Sequence, residues 1–186
     1  MTHYPLIVSI SDKYFTEHRE YVELLQKGSK RPYVQGTIVS DFDNDYFVPL
    51  RSKVPSRELR QFPDAFVTLS VPEKPQAGLD IRKLIVLGDN VDVSIQRRRL
   101  TPAEQYAKLR DKQDELWEKT SKYVSNYKEL VRDGKTLTNE YKFTTLGYFH
   151  EELGLPEKEQ SVANEDKIKS IAERRRAAIR QQGLER

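Results

Sequence analysis

An α+β domain built around a twisted antiparallel sheet is the fold class this sequence predicts. Three observations lead there. Short β-branched runs separated by turn residues recur from Leu6 to Ile95, which is the pattern of strands joined by tight connections. A strongly signalled helix opens at Thr101 and Pro102, and the remaining helical spacing is grouped behind it. Strands first and helices later place the helices at one end of an antiparallel sheet rather than between parallel strands.

Leu6 to Ile10 reads as the first strand. Ser11 then caps a helix with Asp12 in its first turn, and Tyr14, His18, Tyr21, Val22 and Leu25 carry an apolar stripe as far as Gly28. Arg31 to Asp41 and Asp45 to Pro49 form a hairpin around Phe42, Asp43 and Asn44, with Pro49 at the strand end. Phe66 to Leu69 is another strand, and a proline-rich loop follows from Val71 to Gly78. Ile81 to Leu87 and Val91 to Ile95 are further strands about a turn at Gly88, Asp89 and Asn90. Thr101 caps the next helix, with Pro102 at its first position and Glu104 at its third. Tyr106, Leu109, Leu116, Trp117, Tyr123, Val124, Tyr127, Leu130 and Val131 line its apolar face as far as Gly134. Tyr141 to Leu153 completes the core as a last helix.

The chain has 186 residues, of which 37% are hydrophobic and 33% charged, enough apolar material for one sizeable core. The expected division is a domain over residues 1–155 and a charged C-terminal helix or tail over 156–186, where apolar side chains thin out beyond Pro156. There is no run of eighteen apolar residues, and Met1 to Pro5 lacks the regions of a signal peptide. With no cysteine, neither a disulfide framework nor a thiolate metal site is available. A cytoplasmic protein that does not engage a membrane is the expectation.

Net charge is only +3, from 32 basic and 29 acidic residues, so clusters matter more than the total. Arg97-Arg98-Arg99 and Arg174-Arg175-Arg176 are the densest, and Lys27, Lys30 and Arg31 precede the hairpin. Each reads either as a solvated face or as a grip on an anionic partner such as RNA. Asp41, Asp43 and Asp45 alternate like the start of a calcium loop, but no glycine or closing glutamate follows, which favours a polar turn. His3, His18 and His150 lack ligand spacing. No metal or cofactor is expected.

The candidate site lies where the hairpin's second strand runs out. Arg51, Ser52 and Lys53 place a hydroxyl and two cations in one short loop, and Arg31 and Tyr33 begin the partner strand. A ribonuclease that uses the substrate's own 2′-hydroxyl needs cations to stabilise the phosphate's extra charge, a hydroxyl to position an oxygen, and a group that moves protons. Those residue types are present; Tyr33 could equally point into the core.

The same hairpin resembles the ToxN/AbiQ family, the endoribonuclease toxins of type III toxin–antitoxin systems. In that family a pattern like Arg/Lys-Pro-Tyr-Val-Gly leads to Tyr-Phe-x-Pro-Leu-Ser/Thr-Ser-Pro-Lys. Here Arg31-Pro32-Tyr33-Val34 leads to Tyr46-Phe47-Val48-Pro49-Leu50-Arg51-Ser52-Lys53. Ser52 and Lys53 match the family's serine and lysine, whereas Arg51 replaces its first hydroxyl and the proline before the lysine is missing. The resemblance implies a sheet or barrel like that of the MazF and Kid ribonucleases with added helices. It also implies metal-independent cleavage of single-stranded RNA to a 2′,3′-cyclic phosphate, and inhibition by a repeated RNA pseudoknot in a ring-like assembly. The alternative is a non-catalytic RNA- or DNA-binding module whose loop cations only hold phosphate.

Overall fold

A computed structural model of the chain describes residues 5–25, 28–38, 41–88, 94–99 and 102–156. Their strands form a seven-stranded antiparallel sheet in the order β4-β5-β3-β2-β1-β7, with β6 also paired to β3. The strands are β1 (Leu6–Ile10), β2 (Tyr33–Ile38), β3 (Asp41–Arg51), β4 (Phe66–Thr68), β5 (Gly78–Asp80), β6 (Ile85–Gly88) and β7 (Ile95–Arg97). Among the described residues this is an open sheet with β4 and β7 at its ends, where the sequence also suggested a barrel.

β3 is the spine. Its first half pairs with β6 from Asn44 to Phe47, and its last two residues, Leu50 and Arg51, pair with β5. Pro49 falls in the gap where one neighbour gives way to the other. A residue without an N–H is tolerated there because no ladder bond on that side is lost. Along its other edge β3 pairs with β2, Tyr33 facing Pro49 and Val34 facing Val48. The hairpin is thus present, but its turn lies between Ile38 and Asp41, and Phe42 to Asn44 belong to the strand. The cause is visible at Asn44, whose amide donates to the Asp41 carboxylate and to Glu152 O, satisfying it within a ladder rather than in a turn.

Among the described residues four α-helices accompany the sheet: α1 (Asp12–Glu17), α2 (Ser56–Gln61), α3 (Ala103–Asp111) and α4 (Gln113–Arg132). Ser11 caps α1 as expected, its hydroxyl accepting from Tyr14 N at 3.4 Å. The helix stops at Glu17, however, and residues 18–25 turn so that His18 stacks on Tyr14 and Tyr21 stacks on Tyr148. Tertiary stacking overrides the helical spacing, and Val22 is left two-thirds exposed. The single long helix expected after Pro102 is two, broken at Lys112, with Pro102 in an extended conformation just ahead of α3. Thr101 and Val91 to Val93 lie outside the described residues, as does the expected turn at Asp89 and Asn90.

Leu116, Thr120, Tyr123, Val124 and Tyr127 form the buried stripe of α4. The helix packs so closely on β2 that a Cβ built on Gly36 would meet the Trp117 ring at 2.3 Å, so only glycine leaves room at that crossing. The last expected helix is instead a pair of 3-10 turns at Asn139–Tyr141 and Leu146–Tyr148. Thr145 explains this: its hydroxyl donates to Leu84 O and Arg82 O on the segment leading into β6, so it is committed to a partner distant in sequence. Residues 157–186, including Arg174-Arg175-Arg176 and the expected C-terminal helix or tail, lie outside the described residues. Among the described residues no helix is long and apolar enough to cross a membrane.

Candidate functional site

The β2–β3 hairpin and its neighbours enclose an open hollow of about 180 Å³ lined by Lys30, Arg31, Pro32, Leu50, Arg51, Ser52, Lys74 and Gln105. Arg31 enters from the residue pair before β2, and Arg51 ends β3 on the adjacent strand. The Tyr33–Pro49 register, together with a backbone bond from Leu50 N to Pro32 O at 2.9 Å, brings these two ends side by side. Ser52 and Lys53 then project from a two-residue loop clamped by buried Leu50 and buried Val54, whose N–H bonds Gln76 O at 2.8 Å. A protruding loop on a fixed base is a common way to present reactive groups.

The two arginines are held differently. Arg51 Nη1 donates to Asp80 Oδ2 at 2.7 Å, and Asp80 is wholly buried. Arg82 holds the same carboxylate from the other side, with Nε 3.1 Å from Oδ1, and also pairs with Glu58. Its guanidinium lies 4.5 Å from the centre of the Phe66 ring. Burial disfavours the Arg82 cation, but hydrogen bonds and charge from Asp80 and Glu58 more than offset this and raise its pKa. Arg51 is therefore braced from behind by a buried ion cluster while still lining the hollow.

Arg31 is nine-tenths buried, and its Nη1 donates to Leu50 O at 2.8 Å. Its Nε is buried without a hydrogen-bond partner. Burial lowers the Arg31 pKa, and the neighbouring Arg51 charge adds to that, while Tyr33 and Asp80 act in the opposite sense. A desolvated guanidinium beside a second cation gains from an anion in the hollow, because an anion compensates both the burial and the like-charge repulsion.

Of the residues singled out in the sequence, Lys30, Arg31, Arg51 and Ser52 line one hollow. Lys53 is exposed on the adjoining loop and is not among the lining residues. Tyr33 is not brought to the hollow: it is 1% exposed, its ring stacks on Phe15 with centroids 6.5 Å apart, and burial raises its hydroxyl pKa. It contributes packing under Arg31. Arg97, Arg98 and Arg99 are exposed along and just beyond β7. Val8 pairs with both Tyr33 and Arg97, so this cluster begins two strands, roughly 10 Å, from the strand that carries Arg31. His18 donates from Nδ1 to Tyr14 O at 2.8 Å, and His150 donates to Pro156 O with its Nε2 2.8 Å from the Tyr127 hydroxyl. Neither histidine lines the hollow.

Two lining residues escaped the sequence reading. Lys74 arrives on the proline-rich loop, where Val71 and Lys74 pair through a tight turn. Gln105 arrives on α3 and is 97% buried. Lys108, one turn further along α3, bonds Ser70 O and so ties the helix to the loop that carries Lys74. No carboxylate lines the hollow, and among the described residues no group of three histidine or acidic side chains is placed to hold a metal.

No protein-family model matches this chain, and no curated protein matches it. A solved structure does. AbiQ, a lactococcal anti-phage endoribonuclease belonging to the type III toxin–antitoxin system, superposes with a TM-score of 0.57 at 16% sequence identity. The match covers 76% of this chain and 90% of AbiQ. At that identity the likeness speaks for the fold, and it falls on the family whose motif the hairpin resembles. This chain shares the α+β fold of AbiQ.

Proposed function

We propose that this chain is an endoribonuclease toxin of the type III toxin–antitoxin kind, which cuts single-stranded RNA by attack of the 2′-hydroxyl on the adjacent phosphate. One observation carries the reading. A hollow at the base of the hairpin gathers Lys30, Arg31, Arg51, Lys74 and the Ser52 hydroxyl around an unpaired, buried guanidinium nitrogen. The AbiQ-like fold and the hairpin motif support it from a second direction.

In this reading the scissile phosphate sits between Arg31 and Arg51, which stabilise the charge that develops on its non-bridging oxygens. The Ser52 hydroxyl donates to one of those oxygens. The 2′-oxygen forms a bond to phosphorus, the bond to the 5′-oxygen breaks, and the products are a 2′,3′-cyclic phosphate and a 5′-hydroxyl. The proton lost from the 2′-hydroxyl passes to water, and the ammonium of Lys53, on the exposed loop beside the hollow, returns one to the departing 5′-oxygen. No metal enters these steps. Arg97, Arg98 and Arg99 grip the RNA backbone beside the site, and Arg174, Arg175 and Arg176 extend that grip. The partner that silences the toxin is a structured RNA, a repeated pseudoknot that occupies the same hollow in a ring of toxins and RNAs. The site of action is the cytoplasm.

Purified protein should cut single-stranded RNA in EDTA and leave cyclic-phosphate ends, and its induced expression should arrest bacterial growth. Loss of cleavage on chelation with recovery in magnesium would overturn the mechanism. Tight RNA binding without any cleavage would favour the non-catalytic module.

A further inference from the structure

Every lining cation of the hollow brings hydrogen-bond donors only, since neither ammonium nor guanidinium can accept. That suits a phosphate. It does not suit the nucleophile, because a 2′-hydroxyl poised to attack must donate its hydrogen to something. Among the lining side chains only two oxygens can accept: the Ser52 hydroxyl and the Gln105 amide. Ser52 stands on the exposed loop after β3, free to rotate. Gln105 is fixed on α3, between Pro102 and the anchored Lys108, and lines the hollow although the residue is 97% buried.

We infer that Gln105 positions the ribose 2′-hydroxyl, its Oε1 accepting the hydroxyl hydrogen while its Nε2 donates to the phosphate held by Arg31 and Arg51. This rests on the ribonuclease reading above and names a residue outside the hairpin motif. An amide stays neutral across the working pH range, so Gln105 orients the nucleophile and does not remove its proton. The arrangement also makes the site a reader of ribose, since a 2′-deoxy sugar has nothing to donate.

The test compares wild type with Gln105→Leu and Gln105→Glu, using a short single-stranded RNA whose cleavage is followed at saturating and limiting concentrations. Gln105→Leu keeps the side chain's bulk and removes the acceptor. It should lower kcat about ten- to a hundredfold with KM within about twofold, as expected when a group acts on the reacting atoms rather than on general binding. Gln105→Glu keeps an acceptor and adds a titratable one. It should retain more activity than Gln105→Leu and show a new ionisation in its rate–pH profile that wild type lacks. If Gln105→Leu fails to fold in a thermal melt, the pH profile of Gln105→Glu decides alone. Unchanged kcat in a folded Gln105→Leu, or a Gln105→Glu profile parallel to wild type, overturns the assignment. Wild type that leaves no cyclic-phosphate ends would instead overturn the ribonuclease reading beneath it.

Discussion

The two ends of β3 are built to opposite specifications. At the Asp41 end the polar groups answer one another. Asp41 accepts from the Tyr46 hydroxyl at 2.7 Å and from the Asn44 amide at 2.8 Å, and Lys128 lies 3.5 Å away. Gln35 on β2 donates to Asp45 at 2.9 Å, and Asn44 reaches Glu152 O. At the Arg51 end Arg31 keeps an unpaired Nε, and the Ser52 and Gln105 side chains line the same hollow. One strand satisfies its polar groups at the end paired with β6 and leaves a guanidinium nitrogen unpaired beside the end paired with β5. Native proteins satisfy buried polar groups wherever they can, so the unpaired Arg31 Nε is the feature the proposed phosphate site rests on.

The contrast can be broken most forcefully at the open end. Arg51→Met should reduce RNA cleavage about 10²- to 10³-fold, and Ser52→Ala about tenfold to a hundredfold, the latter with the melting temperature nearly unchanged. Arg51→Met leaves Asp80 paired with Arg82, so the fold survives the loss. Initial rates and thermal melts on the same preparations check both halves of that statement.

Asp41→Ala attacks the closed end and should give the opposite profile. It strands the buried Tyr46 hydroxyl and removes one of the two acceptors of the Asn44 amide, so stability should fall by about 2 kcal/mol, or roughly 4–8 °C. Cleavage per folded molecule should stay at the wild-type rate. A cleavage loss matching that of Arg51→Met would mean that the two ends are not functionally distinct.

The smallest effect belongs to the sheet edge. Replacing Arg97, Arg98 and Arg99 together with alanine should leave kcat intact and reduce the slope of log affinity against log salt by about 2, as expected for three lost phosphate contacts on a single strand. An unchanged slope would show that the edge cluster is a solvated face.

How much of this was legible in the sequence depended on whether the signal was local. The Ser11 cap, the β1 run and the hairpin pairing follow from neighbouring residues, and all three stand in the structure. The pairing of the two strands was readable because it is local, but whether Arg31 and Arg51 meet was not, since that depends on the register that sets Tyr33 opposite Pro49. Tyr33 could not be oriented, since alternation along a strand buried on both faces leaves no polar side to identify; Val34 beside it is as buried as Tyr33. The break at Lys112 carries no glycine or proline, and the turns after Tyr141 follow from Thr145 bonding a distant strand end. Lys74 and Gln105 were invisible for the same reason. Their place in the hollow depends on α3 docking against the 70–78 loop through Lys108, a contact across 38 positions of sequence.

The most direct test watches both ends of β3 at once. Isotope-labelled protein is titrated with a single-stranded RNA made uncleavable by 2′-O-methylation, and the side-chain N–H signals of Arg31, Arg51, Asn44 and Gln35 are followed by NMR. The Arg31 and Arg51 Nε–H signals should move with the titration, while the Asn44 and Gln35 amide signals hold their positions. Movement of Asn44 and Gln35 with the two arginines unmoved would place the RNA at the wrong end of the strand and contradict the account.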